Sequence, residues 1–316
     1  MNRQLRKYSI LFLALACFAG AKIANVHAFS IQPAIIELEA DPGGESEGVL
    51  QIFNDEPVAR DIVVSIQRFL PLGESGLQQF LPPEERGGLP SWLVLTPNAF
   101  RLAPGETRRV PFRVHVPKDA APGGYYVALF FGTSLTDQAN DRIVMGTRTG
   151  SLLFFTVHGN ARPSLHISDF KQQNERRGAW PQGFGYKIQN VGTVHTIPQG
   201  YLAIKNMFGQ TSRIILLNAE NGRVLPGSTR AFTVSLSESQ NTAGGFWAAL
   251  KNEWKAFGIG RYQAELVWAD PSLVTQMAPA VSFIVVPWRL GLVGGLLITI
   301  LLFVLKEVRH RRRHRP

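Results

Sequence analysis

Sixteen consecutive residues, Leu290 to Leu305, carry no charge, and Lys306, Arg309, Arg311, Arg312, Arg313 and Arg315 follow at once. Few sequence features constrain a fold as tightly. Hydrocarbon offers no water to satisfy backbone N–H and C=O groups, so a lone apolar run crosses it as a helix. At about 1.5 Å per residue the run spans roughly 24 Å, short of a hydrocarbon core near 30 Å. Pro287, Trp288 and Arg289 extend it on the outer side, since Trp favours headgroup depth and Arg snorkels. Basic residues flanking a span stay in the cytoplasm, which places the preceding chain outside. A buried core helix is the competing reading, and it leaves the basic cluster unexplained.

The N-terminus has matching chemistry. Arg3, Arg6 and Lys7 precede an apolar stretch from Ser9 to Ala21, and Val26-His27-Ala28 is a small-x-small cleavage signal. Residues 1–28 are therefore predicted to be a signal peptide, with the mature chain beginning at Phe29. The only cysteine, Cys17, falls inside it, and Ala14-Leu15-Ala16 departs from the usual lipoprotein pattern. An exported chain without cysteine is held by its core alone.

Of 33 Lys+Arg and 23 Asp+Glu, four basics lie in the signal region, and six basics and Glu307 lie in the tail. The exported body is left with 23 basic and 22 acidic residues. The high isoelectric point thus reports topology and gives no reason to expect a nucleic-acid partner.

Between Phe29 and Trp288 the pattern has period two. Val110, Phe112, Val114 and Val116 alternate with Pro111, Arg113 and His115. Ile62, Val64 and Ile66 form a second such run, Phe232, Val234 and Leu236 a third, and Tyr262, Ala264, Leu266 and Trp268 a fourth. Runs of this kind between Gly/Pro/Asn turns are half-buried strands of antiparallel sandwiches. The chain also repeats itself. LAPGETRRVPF at 102–112 matches VLPGSTRAF at 224–232, each a Pro-Gly turn before Thr-Arg and an apolar strand. Upstream, Gln51-Ile52-Phe53-Asn54 matches Lys187-Ile188-Gln189-Asn190; downstream, Gly123-Gly124-Tyr125-Tyr126 matches Gly258-Ile259-Gly260-Arg261-Tyr262.

The expected fold class is all-β: two tandem immunoglobulin-like sandwiches, a cleaved signal peptide and one C-terminal transmembrane helix. The expected domains are 29–160 and 161–287, followed by a transmembrane helix at 288–305 and a basic cytoplasmic tail at 306–316. The stretch from Pro71 to Phe100 carries five prolines and reads as a long surface connection with a short strand near Trp92 to Leu95.

A second interruption precedes the strand at Arg261. At about 100° per residue, Phe246, Trp247, Leu250, Trp254 and Phe257 fall within an arc of about 100° on a helix, predicted over 244–257. The last strand runs toward the membrane anchor, so its antiparallel predecessor begins at the membrane end, and this insertion sits beside the bilayer. Three readings compete for the aromatic stripe: a cap on the second core, a membrane-interface helix and a docking surface for a partner. With Trp288 and Arg289, these five residues are the candidate sites for membrane-interface or partner binding.

No catalytic motif stands out: there is no Gly-x-Ser-x-Gly elbow and no His-Glu-x-x-His. His115, His158, His166 and His195 have no ligand spacing. No catalytic residue, metal or cofactor is expected.

Ser30-Ile31-Gln32-Pro33, Ser91-Trp92-Leu93, Leu102-Ala103-Pro104-Gly105-Glu106-Thr107 and the run from Val116 to Tyr126 carry a resemblance. The first domain resembles the N-terminal domain of pilus-type periplasmic chaperones and the peptidoglycan-binding domain of WxL-interacting proteins of bacterial surfaces. The second, with Asn206-Met207-Phe208-Gly209 and Val224 to Thr229, resembles bacterial membrane proteins of the same plan. The resemblance implies a tethered protein of a bacterial cytoplasmic (inner) membrane, body outside and tail in the cytoplasm. Its expected partners are membrane lipid and another envelope protein or cell-wall polymer. The alternative it implies is a tethered chaperone acting by strand addition. The basic pair with which pilus chaperones anchor their subunits is not placed in this sequence.

Overall fold

The computed structural model describes residues 29–85, 87–133, 148–173, 178–236, 245–269 and 275–313. The predicted signal peptide with Cys17, Gly244 of the 244–257 insertion and Arg315 lie outside the described residues.

The first sandwich opens with a strand split at Pro33, whose peptide bond to Gln32 is cis. Its first part, β1 (Phe29–Gln32), pairs with β3 (Glu45–Asn54), which pairs with β8 (Thr107–His115) and through it β6 (Leu93–Leu95). Its second part, β2 (Ile35–Ala40), crosses to the other sheet and runs parallel to β10 (Arg148–Val157), followed by β9 (Gly123–Thr133) and β4 (Arg60–Leu72). Two short strands, β5 (Leu77–Phe80) and β7 (Ala99–Leu102), pair with opposite ends of β4. The alternation does what period two requires. Val110, Phe112 and Val114 are buried, and Pro111, Arg113 and His115 are exposed. Leu50, Ile52, Leu129, Phe131, Leu153 and Phe155 complete the core.

The second sandwich repeats the plan with fewer strands. One sheet is β11 (Leu165–Gln173), β12 (Gly183–Asn190) and β15 (Thr229–Ser235). The other is β14 (Thr211–Leu216), β13 (Gln199–Lys205) and β16 (Gly260–Ala269), with β17 (Thr275–Met277) and β18 (Val281–Val285) both on β16. Phe184, Tyr186, Ile188, Leu202, Ile204, Leu266, Trp268 and Phe283 fill its core.

The sequence repeat marks one structural device used twice. Asn54 ends β3 and is fully buried, and its Nδ2 donates to the carbonyls of Val58, Leu102 and Ala103. Asn190 ends β12, is equally buried, and donates to the carbonyls of Val194 and Val224. Each accepts at its own carbonyl from the glycine of the Pro-Gly turn, Gly105 or Gly227, at 2.8 Å. Both glycines hold φ near +70°, a region open to glycine at little cost. One buried amide thus ties a strand end to the turn that launches another strand.

The Pro71–Phe100 stretch holds the expected short strand as β6 and differs in carrying more structure besides: it contributes β5 and a single helical turn α1 (Leu89–Trp92), and runs into β7. Leu89 is buried, and the Trp92 ring packs on Tyr125 at 4.6 Å.

A third apolar cluster joins the sandwiches: Phe69, Ala128 and Phe154 from the first and Leu225 from the second. Arg223 spans the joint, 2.7 Å from Glu37 through Nε and 5.0 Å from the Phe154 ring. The β4–β5 turn reaches across as well: the Glu74 carbonyl accepts from Ala231 N–H, and its carboxylate meets Lys187 Nζ at 2.8 Å.

Candidate functional site

The base of the second sandwich is built from its last strand. Val286 N–H donates to Gly178 O at 2.8 Å, Trp288 N–H to Val286 O at 2.8 Å, and Gly291 N–H to Pro287 O at 3.0 Å. The chain therefore passes from strand to helix within two residues. The helix, α3 (Trp288–Arg313), has 26 residues and a length of about 39 Å. Its apolar stretch is long enough to cross a membrane, and none of that stretch is buried against the body. The helix continues beyond the expected span of 288–305 into the basic tail as far as Arg313, since no Gly or Pro occurs there to break it.

The insertion forms α2 (Phe246–Lys255), shorter at each end than the expected 244–257. Its C-terminal end is seated closely. Trp180 Nε1–H donates to Ala256 O at 2.7 Å, and the Trp180 ring lies 4.8 Å from Tyr262. Gly258 fits where a Cβ would come within 2.8 Å of the Trp180 ring and 2.9 Å of the Tyr262 hydroxyl. The body of α2 buries no residue, which removes the reading of α2 as a cap on the second core. Trp247 is 74% exposed, Trp254 72% and Phe257 62%; Phe246 is also exposed and Leu250 half-buried.

One acidic side chain connects α2 to α3. Glu253 Oε2 accepts from the backbone N–H of Arg289 at 3.0 Å and of Leu290 at 3.2 Å, and Oε1 pairs with Arg289 Nη1 at 2.8 Å. The first turn of a helix leaves N–H groups unpaired and carries partial positive charge, so a carboxylate is the matching partner. Arg289 also lies 4.4 Å over the Trp288 ring. All seven predicted residues thus lie on one small region or touch it through Glu253. Glu253 itself was missed by the sequence reading. Its signal, a lone acid within the insertion, does not reveal a partner helix 36 residues away.

Strand edges are the other surface of interest. On its outer side β10 is covered by β2 from Leu152 to Val157, which leaves Arg148–Ser151 without a β2 partner. In the second sandwich β14 pairs, among the described residues, with β13 alone, and it exposes Ile214 and Leu216.

At the joint a cleft of about 200 Å³ is lined by Ile35, Leu77, Phe154, Arg223, Leu225 and Arg230. Small-molecule sites generally run from about 300 to 1,000 Å³. Arg223 is already engaged by Glu37. Nearby His195 donates its backbone N–H to Tyr126 Oη at 2.9 Å, and its Nδ1 has no partner. Burial holds the His195 imidazole below its usual pKa, with Arg223 adding to the effect and Glu37 opposing it. Burial likewise raises Tyr126 and pushes Tyr186 up to about 12. Among the described residues no group of three His, Cys, Asp or Glu is placed to hold a metal ion.

Comparison with protein-family models and with curated proteins gives no match. Solved structures do match over most of the chain. The Class 5 fimbriae chaperone CfaA is 13% identical, with 82% of this chain and 100% of that chain covered and a TM-score of 0.40. The Pseudomonas aeruginosa CupB2 chaperone is 12% identical, covering 81% and 100% with a TM-score of 0.37. The E. coli chaperone DraB is 11% identical, covering 82% and 97% with a TM-score of 0.37.

Proposed function

We propose that this chain is a single-pass, membrane-tethered binding or scaffolding protein without catalytic activity, which engages another envelope protein or a cell-wall polymer. In this reading the sandwiches stand outside a bacterial cytoplasmic membrane and the basic tail lies inside. The observation that carries it is the direct passage from β18 into an uncovered apolar helix. An apolar surface of that length is costly in water and at home in hydrocarbon. Two sandwiches on so short a connection form a display platform, the first held farther from the membrane than the second.

A tethered chaperone acting by strand addition is the second reading. Main-chain pairing supplies the affinity in that mode, and the free part of β10, Arg148–Ser151, is where it would begin. The β2 cover over the other six residues of β10 makes this the weaker reading.

The test has two parts. Carbonate-washed membranes should retain the full-length protein, and protease added outside spheroplasts should digest the sandwiches while sparing the tail. Photo-cross-linking in cells from exposed positions of the first sandwich, such as Val63 and Val94, should then capture an envelope protein or glycan. Release by carbonate sinks the tether; retention with no captured envelope component sinks the binding role.

A further inference from the structure

We propose that α2 is a second membrane contact: an interfacial helix whose aromatic face lies at the headgroup–acyl boundary of the bilayer that α3 crosses. This inference rests on the tether reading above.

Four observations converge on it. On α2 the rings of Phe246, Trp247 and Trp254 cover no part of the core and stand exposed, as does Phe257 just past its C-terminal end. An apolar patch of that kind on a folded domain marks an interaction surface. Its level is fixed by Glu253, whose bonds to the N–H groups of Arg289 and Leu290 put α2 beside the first turn of α3. That turn, with Trp288, is where a spanning helix passes from headgroups to acyl chains.

The arrangement around the helix fits one occupant. At about 100° per residue, Ala249 and Glu253 flank the stripe on the side facing α3. Lys251 and Lys255 flank it on the other side, and both are exposed. Aromatic side chains with lysines at their margin suit an anionic lipid surface, the rings entering the boundary and the ammonium groups rising to the headgroups. The body cannot easily swing α2 away, because Trp180 bonds Ala256 and packs over Gly258. Contact at α2 together with crossing at α3 gives the second sandwich two footholds and sets its tilt above the membrane.

The experiment uses full-length protein in a C17S background, reconstituted into phosphatidylethanolamine–phosphatidylglycerol vesicles. A nitroxide is placed in turn at W247C, W254C, L297C and V191C, and its collisions with oxygen and with a water-soluble nickel chelate are compared. Leu297 reports the span and Val191 reports water. The proposal expects labels at 247 and 254 to lose nickel collisions relative to 191 and gain oxygen collisions, at a depth shallower than 297. Nickel collisions at 247 and 254 equal to those at 191, with 297 deep, overturn the interfacial helix and leave the tether intact. A nickel-accessible 297 overturns the tether itself. Labels at 247 and 254 shielded from both reagents mean that protein covers the stripe, a second copy or a partner, and overturn the lipid assignment.

Discussion

The two sandwiches are tied by the same device and put to different ends. Asn54 and Asn190 occupy the same place, each buried at a strand terminus and bonded to a Pro-Gly turn. Around that shared stitch the first sandwich adds short elements to its ends and edges: β5 and β7 extend β4, α1 plugs one end with Leu89, and β2 pairs along the edge of β10. The second has fewer such additions. Its β14 shows Ile214 and Leu216 to solvent, and its base carries α2 and α3 with their apolar faces uncovered. The stitch belongs to the fold, and the open surfaces are where a role is to be sought. Buried polar groups bonded in full fix a unique arrangement, whereas large uncovered apolar faces imply something still to be covered.

The comparison breaks most readily at the stitch. Asn54→Ala removes the side-chain donor to the carbonyls of Val58, Leu102 and Ala103, of which Ala103 keeps Glu106 N–H. Asn190→Ala removes the donor to Val194 and Val224, of which Val224 keeps Thr196 N–H, together with the acceptor of Gly192 N–H. At roughly 1–3 kcal/mol for each buried group left unpaired, both variants should lose several kcal/mol in denaturant titrations. A large loss for one and none for the other would show that the two turns are not equivalent.

Glycines of the two matching strands sharpen it next. Gly48 in β3 faces the Phe112 ring, and Gly183 in β12 faces the backbone carbonyl of Val234. A ring can tilt and a backbone carbonyl cannot move alone. Gly48→Ala should cost about 1–3 kcal/mol, and Gly183→Ala should cost more by the same titration. The reverse order would contradict this packing.

The joint contributes a smaller, pH-dependent effect. His195 has its folded pKa lowered by burial against Tyr126 and Phe154 and by the nearby Arg223 charge, with Glu37 opposing. Just below about pH 6.5 the unfolded chain takes up a proton that the folded chain refuses. Stability from this site is therefore intact above that pH and falls as the pH drops through it. His195→Gln should flatten that part of a melting-temperature profile; an unchanged slope would assign it elsewhere.

The smallest expected effect belongs to the second sandwich alone. Glu253→Gln keeps an oxygen that accepts from Arg289 and Leu290 but removes the charge, worth under about 1 kcal/mol at a helix N-terminus. Faster hydrogen exchange at those two amides, with the sandwiches unaltered, is the expected signature.

What was legible in the sequence follows from how local the signal is. The strands around Val110–Val116 and Tyr262–Trp268 announce themselves because one face of each is buried, and that imposes period two. The stitch was legible as a repeat, because a Pro-Gly turn and a terminal Asn are short-range chemistry. The Pro71–Phe100 stretch was not. Beyond the short strand expected near Trp92 to Leu95, which is β6, its strands form because β4 is there to pair with them, and no local pattern encodes that. His195 read as an isolated histidine for the same reason, since its burial depends on Phe154 and Tyr126 of the other sandwich. The candidate site was half visible: the aromatic stripe and Trp288 stood out as patterns, but Glu253 acquires its meaning only when two helices meet.

The passage from β18 into α3 also has a mechanical consequence. A load applied to α3 enters the body at the C-terminal end of β18, a strand held to β16 by the ladder from Gly260↔Val285 to Ala264↔Val281 and bridged at that end to Gly178. Bonds of an antiparallel ladder lie across the strands. A pull along β18 is therefore shared by the whole ladder in shear, in contrast to a peeling force that opens one bond at a time.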